Sequence, residues 1–272
     1  MAKKNIIVTG GAGFIGSNLI EKLMEKDYNI TVVDNLETGF IENLEPFMDK
    51  ISFVEEDIKN YDAINSLIDD DVLAIIHLAA MVSVEKSIKN PIECYKTNVL
   101  ASINLMKQCI KHNCKFIFAS SAAVYGEDKT PVKTEDINAS PISPYGISKL
   151  DVENLCNIYH RENDLSYVCF RNFNVYGPRQ DPNSPYAAVI PNFINLALDN
   201  ENLNIYGNGS QTRDFIHVED VIDAYLIAIE GNINGVYNLG CNLQIQINDL
   251  SKTILKKIST TSCYYMRICG PM

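Results

Sequence analysis

No run of lysine or arginine occurs in this 272-residue chain, which carries 23 basic against 34 acidic side chains and a formal charge of −11. Surfaces that track a phosphodiester backbone need clustered cations, so nucleic acid is not an expected partner. No apolar stretch approaches the length of a membrane-spanning helix, and strand-like residues begin at Asn5 without room for a secretory leader. No membrane association and a cytoplasmic location are therefore expected. The eight cysteines, at 94, 109, 114, 156, 169, 241, 263 and 269, form no CxxC pair and have no histidine at ligand spacing. They read as ordinary thiols in a reducing compartment, and no metal site is expected. Histidines 77, 112, 160 and 217 stand singly and carry no assigned chemistry.

What is present is an ordinary globular composition, 46% apolar and 21% charged, long enough to bury a large core. From residue 4 to about 170, short β-branched runs alternate with segments of helical period, the pattern of repeated βαβ units on a parallel sheet. Strands are predicted at Ile6–Thr9, Ile30–Asp34, Ile51–Glu55, Val72–Leu78, Lys115–Ser120 and Ser166–Phe170. Long helices are predicted near 91–112 and 144–161. After Phe170, Pro178, Pro182, Pro185 and Pro191 crowd a loop-rich stretch, followed by shorter pieces at Leu203–Tyr206, Val218–Glu230 and Val236–Leu239. The expectation is an α/β fold: a doubly wound parallel sheet of Rossmann type over 1–171, with a small C-terminal substrate-binding lobe over 172–272, interleaved with the sheet. Ligands of such sheets sit beyond the carboxyl ends of the strands.

The first strand runs into Gly10-Gly11-Ala12-Gly13-Phe14-Ile15-Gly16 and then a helix. Glycines at 10, 13 and 16 permit a tight turn and close approach of a pyrophosphate, which the helix N-terminus favours. The spacing is GxxGxxG rather than GxGxxG, and its place after a strand is what makes it informative. Asp34 ends the second strand, where a carboxylate accepts from ribose hydroxyls and repels a 2′-phosphate, favouring NAD over NADP. An Asp that only initiates a loop would look the same. Asp57 follows the third strand in similar fashion and is a candidate for an adenine contact.

YxxxK occurs twice, at Tyr125/Lys129 and Tyr145/Lys149. Tyr145 and Lys149 lie just inside a helix, where residues four apart share a face, whereas a glycine and a polar turn follow Tyr125. An ammonium and a cationic nicotinamide ring beside Tyr145 both favour its phenolate, so a lowered pKa is expected. Moving a phenol from about 10 to about 7 takes roughly 4 kcal/mol of differential stabilisation. Ser121 ends the fifth strand at the carboxyl edge. It either hydrogen-bonds a reacting oxygen or caps the local backbone.

These pieces, TGGAGFIGSN at 9–18, SSAAVYG at 120–126 and SPYGISK at 143–149, together resemble the extended short-chain dehydrogenase/reductase family, in particular its UDP-hexose 4-epimerase branch. The likeness continues through RNFNVYGPRQDPNSPYAAVIP at 171–191 and IYGNGSQTRDFIHVEDV at 205–221. The resemblance implies NAD as cofactor, a UDP-sugar substrate and a homodimer built on the helices near 91–112 and 144–161. It implies that Tyr145 takes the proton of a sugar hydroxyl, Lys149 binds the nicotinamide ribose, and Ser121 orients the sugar oxygen. It implies Phe14, Ile15, Asp34, Asn35, Asp57, Ile58, Leu78, Ala79, Ala80, Thr97 and Phe173 at NAD. At the UDP-sugar it implies Ser83, Ser121, Asn174, Ala188, Val189, Tyr206 and Arg213.

Two places depart from the branch pattern. Asn172 stands where a Tyr or another bulky residue usually precedes Phe173. The segment from Tyr264 to Met272 does not match the Arg-Pro-Gly-Asp-like stretch and closing helices of the family, so a shortened C-terminus is expected, and glucose against N-acetylglucosamine stays open. A 4,6-dehydratase would carry an Asp-Glu pair where Ala122 and Ala123 stand. A dehydrogenase releasing NADH would show the same motifs, and an impaired NAD-binding remnant is the alternative of another class.

Overall fold

The computed structural model describes residues 4–182 and 188–258 and the backbone of a strand at 264–267. Pro185, Cys263 and Cys269 lie outside the described residues. In chain order the strands and helices are β1 (Lys4–Thr9), α1 (Phe14–Leu23), β2 (Tyr28–Asp34), β3 (Ser52–Glu55), α2 (Tyr61–Asn65), β4 (Val72–His77), α3 (Val84–Lys89), α4 (Pro91–Tyr95), α5 (Ala101–His112), β5 (Lys115–Ser121), α6 (Pro144–Asn163) and β6 (Tyr167–Asn172). There follow β7 (Asn174–Tyr176), α7 (Val189–Leu198), β8 (Leu203–Tyr206), β9 (Thr212–Arg213), β10 (Phe215–His217), α8 (Val218–Glu230), β11 (Gly235–Leu239), β12 (Ile245–Gln246), α9 (Ile247–Ile258) and β13 (Tyr264–Arg267).

Seven strands form one parallel sheet in the order β11-β6-β5-β4-β1-β2-β3. Helices flank it, the Rossmann-type arrangement expected. Residues such as Ile6, Ile7 and Val8 in β1, or Ile75 and Ile76 in β4, are buried in succession rather than alternately, because helices cover both faces of a parallel sheet. The strand order reverses between β1 and β4, and there the crevice of a doubly wound fold opens.

The chain falls into two compact units. The first runs to Asn172 and adds Val218–Leu239, and the second comprises Phe173–His217 with the segment from Gly240 onward. Val218–Glu230, grouped by proximity in sequence with the short pieces of the C-terminal lobe, is one helix of the first unit. It packs on α1, and β11 behind it pairs with β6 as the seventh strand. Its buried face, Val218, Val221, Ile222, Tyr225 and Ile229, gives the physical reason: that stripe has the sheet to cover.

The predicted helix over 91–112 is one helical run, but residues Lys96–Leu100 take π-helical geometry between α4 and α5. The α6 helix begins as its sequence dictates. Ser143 accepts from the Gly146 amide at 3.1 Å, Pro144 occupies the first turn, and Asp164 ends the helix at a left-handed φ of 56°. The second unit has its own core, with Phe193, Leu203, Ile205, Phe215, Ile247 and Ile254 buried. Its strands pair two by two: β7 with β10, β9 with β12, β8 with β13.

Candidate active site

The turn after β1 is built for close approach. Gly10 has φ +71°, and a Cβ there would meet the Ala79 amide nitrogen at 2.6 Å; a Cβ on Gly16 would meet the Gly10 carbonyl at 2.4 Å. Gly13 is the N-cap of α1, with Phe14 and Ile15 in the first turn. The Thr9 carbonyl accepts from both Leu78 and Ala79, so the Leu78–Ala80 segment lies against the glycine turn. Asp34, 7% exposed, accepts from Ala12 N–H and Leu36 N–H at 2.9 Å each. Burial raises its pKa, and the two amides oppose that. The carboxylate is therefore both the loop-initiating Asp and the acidic end of β2. Asn35 donates to Asp57 at 3.3 Å, which brings those two candidates together beside buried Ile58.

Half-buried Tyr145 and buried Lys149 lie four residues apart on one side of α6, and the Tyr145 side chain hydrogen-bonds Ser121. Ser121 also accepts from Ala123 N–H at 3.2 Å, which is the backbone cap of its second reading. Lys149 donates to the Ala119 carbonyl at 2.8 Å, and its Nζ lies 4.6 Å from the Phe118 ring centre and 5.7 Å from that of Tyr145. Burial pulls the Lys149 ammonium down to about 8. The direction expected for Tyr145 is corrected here. Burial of the phenol is the largest influence and pushes its pKa up, while the Ser121 hydrogen bond pulls it down.

The half-buried Thr97 lies in the π-helical segment beside Asn98, which the sequence reading missed. The buried Asn98 accepts from Met81 N–H at 2.8 Å and donates to the Met81 carbonyl at 3.2 Å and to Ser148 Oγ at 3.0 Å. It thereby holds the loop after β4 to the first turns of α6. Ser83 caps α3 by accepting from Lys86 N–H at 3.1 Å. His77 lies on β4 between Thr9 and Ser102, 2.7 and 3.0 Å from its two ring nitrogens, and burial lowers its pKa to about 3.

In the second unit, Asn174, Ala188, Val189, Tyr206 and Arg213 line one cavity of about 380 Å³. Tyr176, Asn204 and Gln211 join them unforeseen, Tyr176 and Gln211 from inside the quoted segments at 171–191 and 205–221. Phe173 belongs to this unit, its ring against Gly240. Among the described residues no cluster of three or more His, Cys, Asp or Glu could hold a metal, and no helix is long and apolar enough to cross a membrane. Among the described residues, Cys94, Cys109, Cys114, Cys156 and Cys169 are buried thiols and Cys241 is exposed.

A dinucleotide cradle at the first turn of a Rossmann sheet, together with a Tyr/Lys helix meeting a strand-end serine, defines the extended short-chain dehydrogenase/reductase class. Within it, the chain belongs to the NAD dependent epimerase/dehydratase family, whose model matches residues 6–240. It is 39% identical to the UDP-N-acetylglucosamine 4-epimerase of Methanobrevibacter ruminantium M1, solved with UDP-N-acetylmuramic acid, at a TM-score of 0.93 over 100% of this chain and 88% of that one. It is 38% identical to the UDP-glucose 4-epimerase of Thermotoga maritima, solved with UDP-glucose, at a TM-score of 0.89 over 98% and 87%. A UDP-N-acetyl-alpha-D-glucosaminuronate decarboxylase of Bacillus cytotoxicus is 34% identical over 93% of this chain and 79% of its own length. The cofactor is NAD, and the cradle fits it: the glycine turn ends at an α1 N-terminus with no side-chain cap to compete with a pyrophosphate, and Asp34 ends the neighbouring strand.

Proposed function

We propose that the chain catalyses 4-epimerisation of a UDP-hexose, in its plain or N-acetylated form. The observation that carries this reading is the Ser121–Tyr145–Lys149 constellation, followed by Ala122 and Ala123 in the short helical turn that Ser121 caps. Elimination of water needs an acid and a base at those two positions, and alanines supply neither.

Gly10, Gly13 and Gly16, with the first turn of α1, would hold the pyrophosphate of NAD. Asp34, Asn35, Asp57 and Ile58 would take its adenosine half. Leu78–Ala80, Thr97, Tyr145, Lys149 and Phe173 would take its nicotinamide half. Bound there, NAD would supply reversible hydride transfer at the sugar carbon. The chain's own part is proton handling. Tyr145 as phenolate takes the proton of the C4 hydroxyl at its oxygen and later gives it back, and Ser121 holds the sugar oxygen in line. Burial alone opposes the phenolate, so the charges of Lys149 and of the nicotinamide ring must outweigh it. The second unit is assigned to the UDP-sugar: Asn174, Ala188, Val189 and Tyr206 line its cavity, and the forked guanidinium of Arg213 suits a diphosphate. Ser83 would face the sugar.

A homodimer fits the distribution of exposed apolar side chains. Val84, Ile88, Ile92, Tyr95, Leu100, Ile147 and Ile158 all lie on the helical stretch from α3 through α6. The buried unpaired thiols fit a reducing compartment, and with it a cytoplasmic location.

The test is conversion of UDP-galactose and, separately, UDP-N-acetylgalactosamine to the C4 epimer by purified protein without added NAD. Conversion of either supports the reading and assigns the substrate. NAD bound without conversion would leave a cofactor-binding protein, and carbon dioxide release from a UDP-uronic acid would move the chain to the decarboxylase side of its family.

A further inference from the structure

Glu153 and Arg171 have no part in the chemistry assigned above, yet they form a buried ion pair one helical turn beyond Lys149. Nε of Arg171 donates to both carboxylate oxygens of Glu153 at 3.1 Å, and Nη2 donates to one of them at 2.7 Å. Their side chains are 7% and 3% exposed. Ser120 donates its hydroxyl to the same carboxylate. From its other side Arg171 donates to the Tyr125 hydroxyl at 2.9 Å, which in turn donates to Asn238 at 2.7 Å. Withdrawing two charges from water is expensive, and apolar residues of the same volume are often as stabilising. Stability alone therefore does not account for the pair.

Its placement does. Two successive residues of β5 receive α6: Ala119 takes the Lys149 ammonium and Ser120 meets the Glu153 carboxylate. Lys149 and Glu153 are thus received by adjacent strand residues, four residues apart on one buried helix face. The other titratable groups around Lys149 come from each element packed on it: His77 from β4, Cys94 from α4, Cys169 from β6 and Tyr145 from α6 itself. His77 is held neutral by burial, and burial pushes the thiols of Cys94 and Cys169 and the phenol of Tyr145 up. Burial is the largest influence on Lys149 and lowers its pKa; Cys94, Cys169 and Glu153 oppose it, in that order, and Glu153 is the one carboxylate among them.

We propose that Glu153 is a positioning residue for this site: held by Arg171 and Ser120, it supplies the anionic charge that keeps Lys149 an ammonium in a dry pocket, and Lys149 in turn favours the Tyr145 phenolate. The inference rests on the assignment of Lys149 to NAD and of Tyr145 to proton transfer made under the proposed function.

The experiment reads NAD affinity by calorimetry over roughly pH 6 to 9, spanning the ammonium-to-amine range of a buried lysine. Wild-type affinity falls as Lys149 loses its proton, and Lys149→Met shows no such fall. In Glu153→Gln the midpoint of the fall moves to lower pH, on the order of one unit, the size of a neighbouring-charge effect. In Glu153→Gln/Arg171→Met, which leaves no uncompensated guanidinium, it lies between that variant and wild type. The double variant decides the matter if the single one does not fold. The alkaline limb of kcat/KM, where turnover is seen, moves with the same midpoints, whereas loss of structure alone would lower activity at every pH. Coincident midpoints, an affinity flat with pH in the wild type, or a fall that survives in Lys149→Met would overturn the proposal. Shifted midpoints in a protein that turns over no UDP-sugar would sink the functional reading and leave this one standing.

Discussion

Lys149 is buried and Tyr145 half-buried, so the Lys149 ammonium gains from an anion nearby and a Tyr145 phenolate from a cation. Replacing Tyr145 with Phe removes the proton acceptor and keeps the ring, so turnover is expected to fall by about 10²–10⁴-fold while NAD still binds. A rate assay beside a calorimetric titration separates the two effects. Gly10→Ala places a methyl on a left-handed backbone against the Ala79 amide. A stability loss of about 1–3 kcal/mol, with NAD affinity reduced at least about tenfold, is the expected outcome, measured by urea unfolding and calorimetry. His77 has a folded pKa of about 3, below the unfolded value of 6.5. A depressed pKa means that the unfolded chain binds more protons, so the stability contributed by neutral His77 is complete above pH 6.5 and is lost as pH falls toward 3. His77→Gln is expected to flatten the urea-midpoint profile in that window. The glycines, Asp34 and the Tyr145/Lys149 spacing were legible because residue type and local position mark them: a strand-to-helix turn, a strand end, and two residues four apart on a helix. Asn98, Glu153 and Arg171 were not, since their partners Met81, Ser120 and Tyr125 become neighbours only after strands and helices are docked.

At the scale of elements, β-branched runs and helix-start signals carried most of the information. The helix was expected from about residue 144, and the structure supplies the Ser143 cap bond that fixes its start. Ser143→Ala is expected to cost about 1 kcal/mol in urea unfolding, with little effect on NAD affinity, because the cap lies at the helix end rather than on the Tyr145/Lys149 face. Two features stayed hidden. Nothing in Lys96–Leu100 announces a π-helical turn, which depends on where Asn98 must reach. The stripe of Val218, Val221, Ile222, Tyr225 and Ile229 speaks of a covered helix, but a stripe does not name its sheet. Proximity in sequence pointed to the wrong unit.

For the whole molecule, the exposed apolar side chains of α3 through α6 make association through this face the expectation. Ile92→Asp together with Ile147→Asp is expected to convert a dimer to a monomer in sedimentation, since a twofold contact meets each change twice. An unchanged sedimentation coefficient would remove this face from the assembly. The return of the chain to its first unit has a consequence in time rather than in space. During synthesis β6 emerges with one edge open, and its partner β11 follows only after the whole segment Phe173–His217 and the α8 helix have been made. For that interval the nascent chain carries an unpaired parallel edge, the kind of surface on which one growing chain captures another. The pairing that closes the sheet is also among its most distant in sequence, Val168 with Gly235, so it belongs to the slow end of folding. Chaperone dependence of the chain should therefore be set by how quickly residues 218–239 arrive.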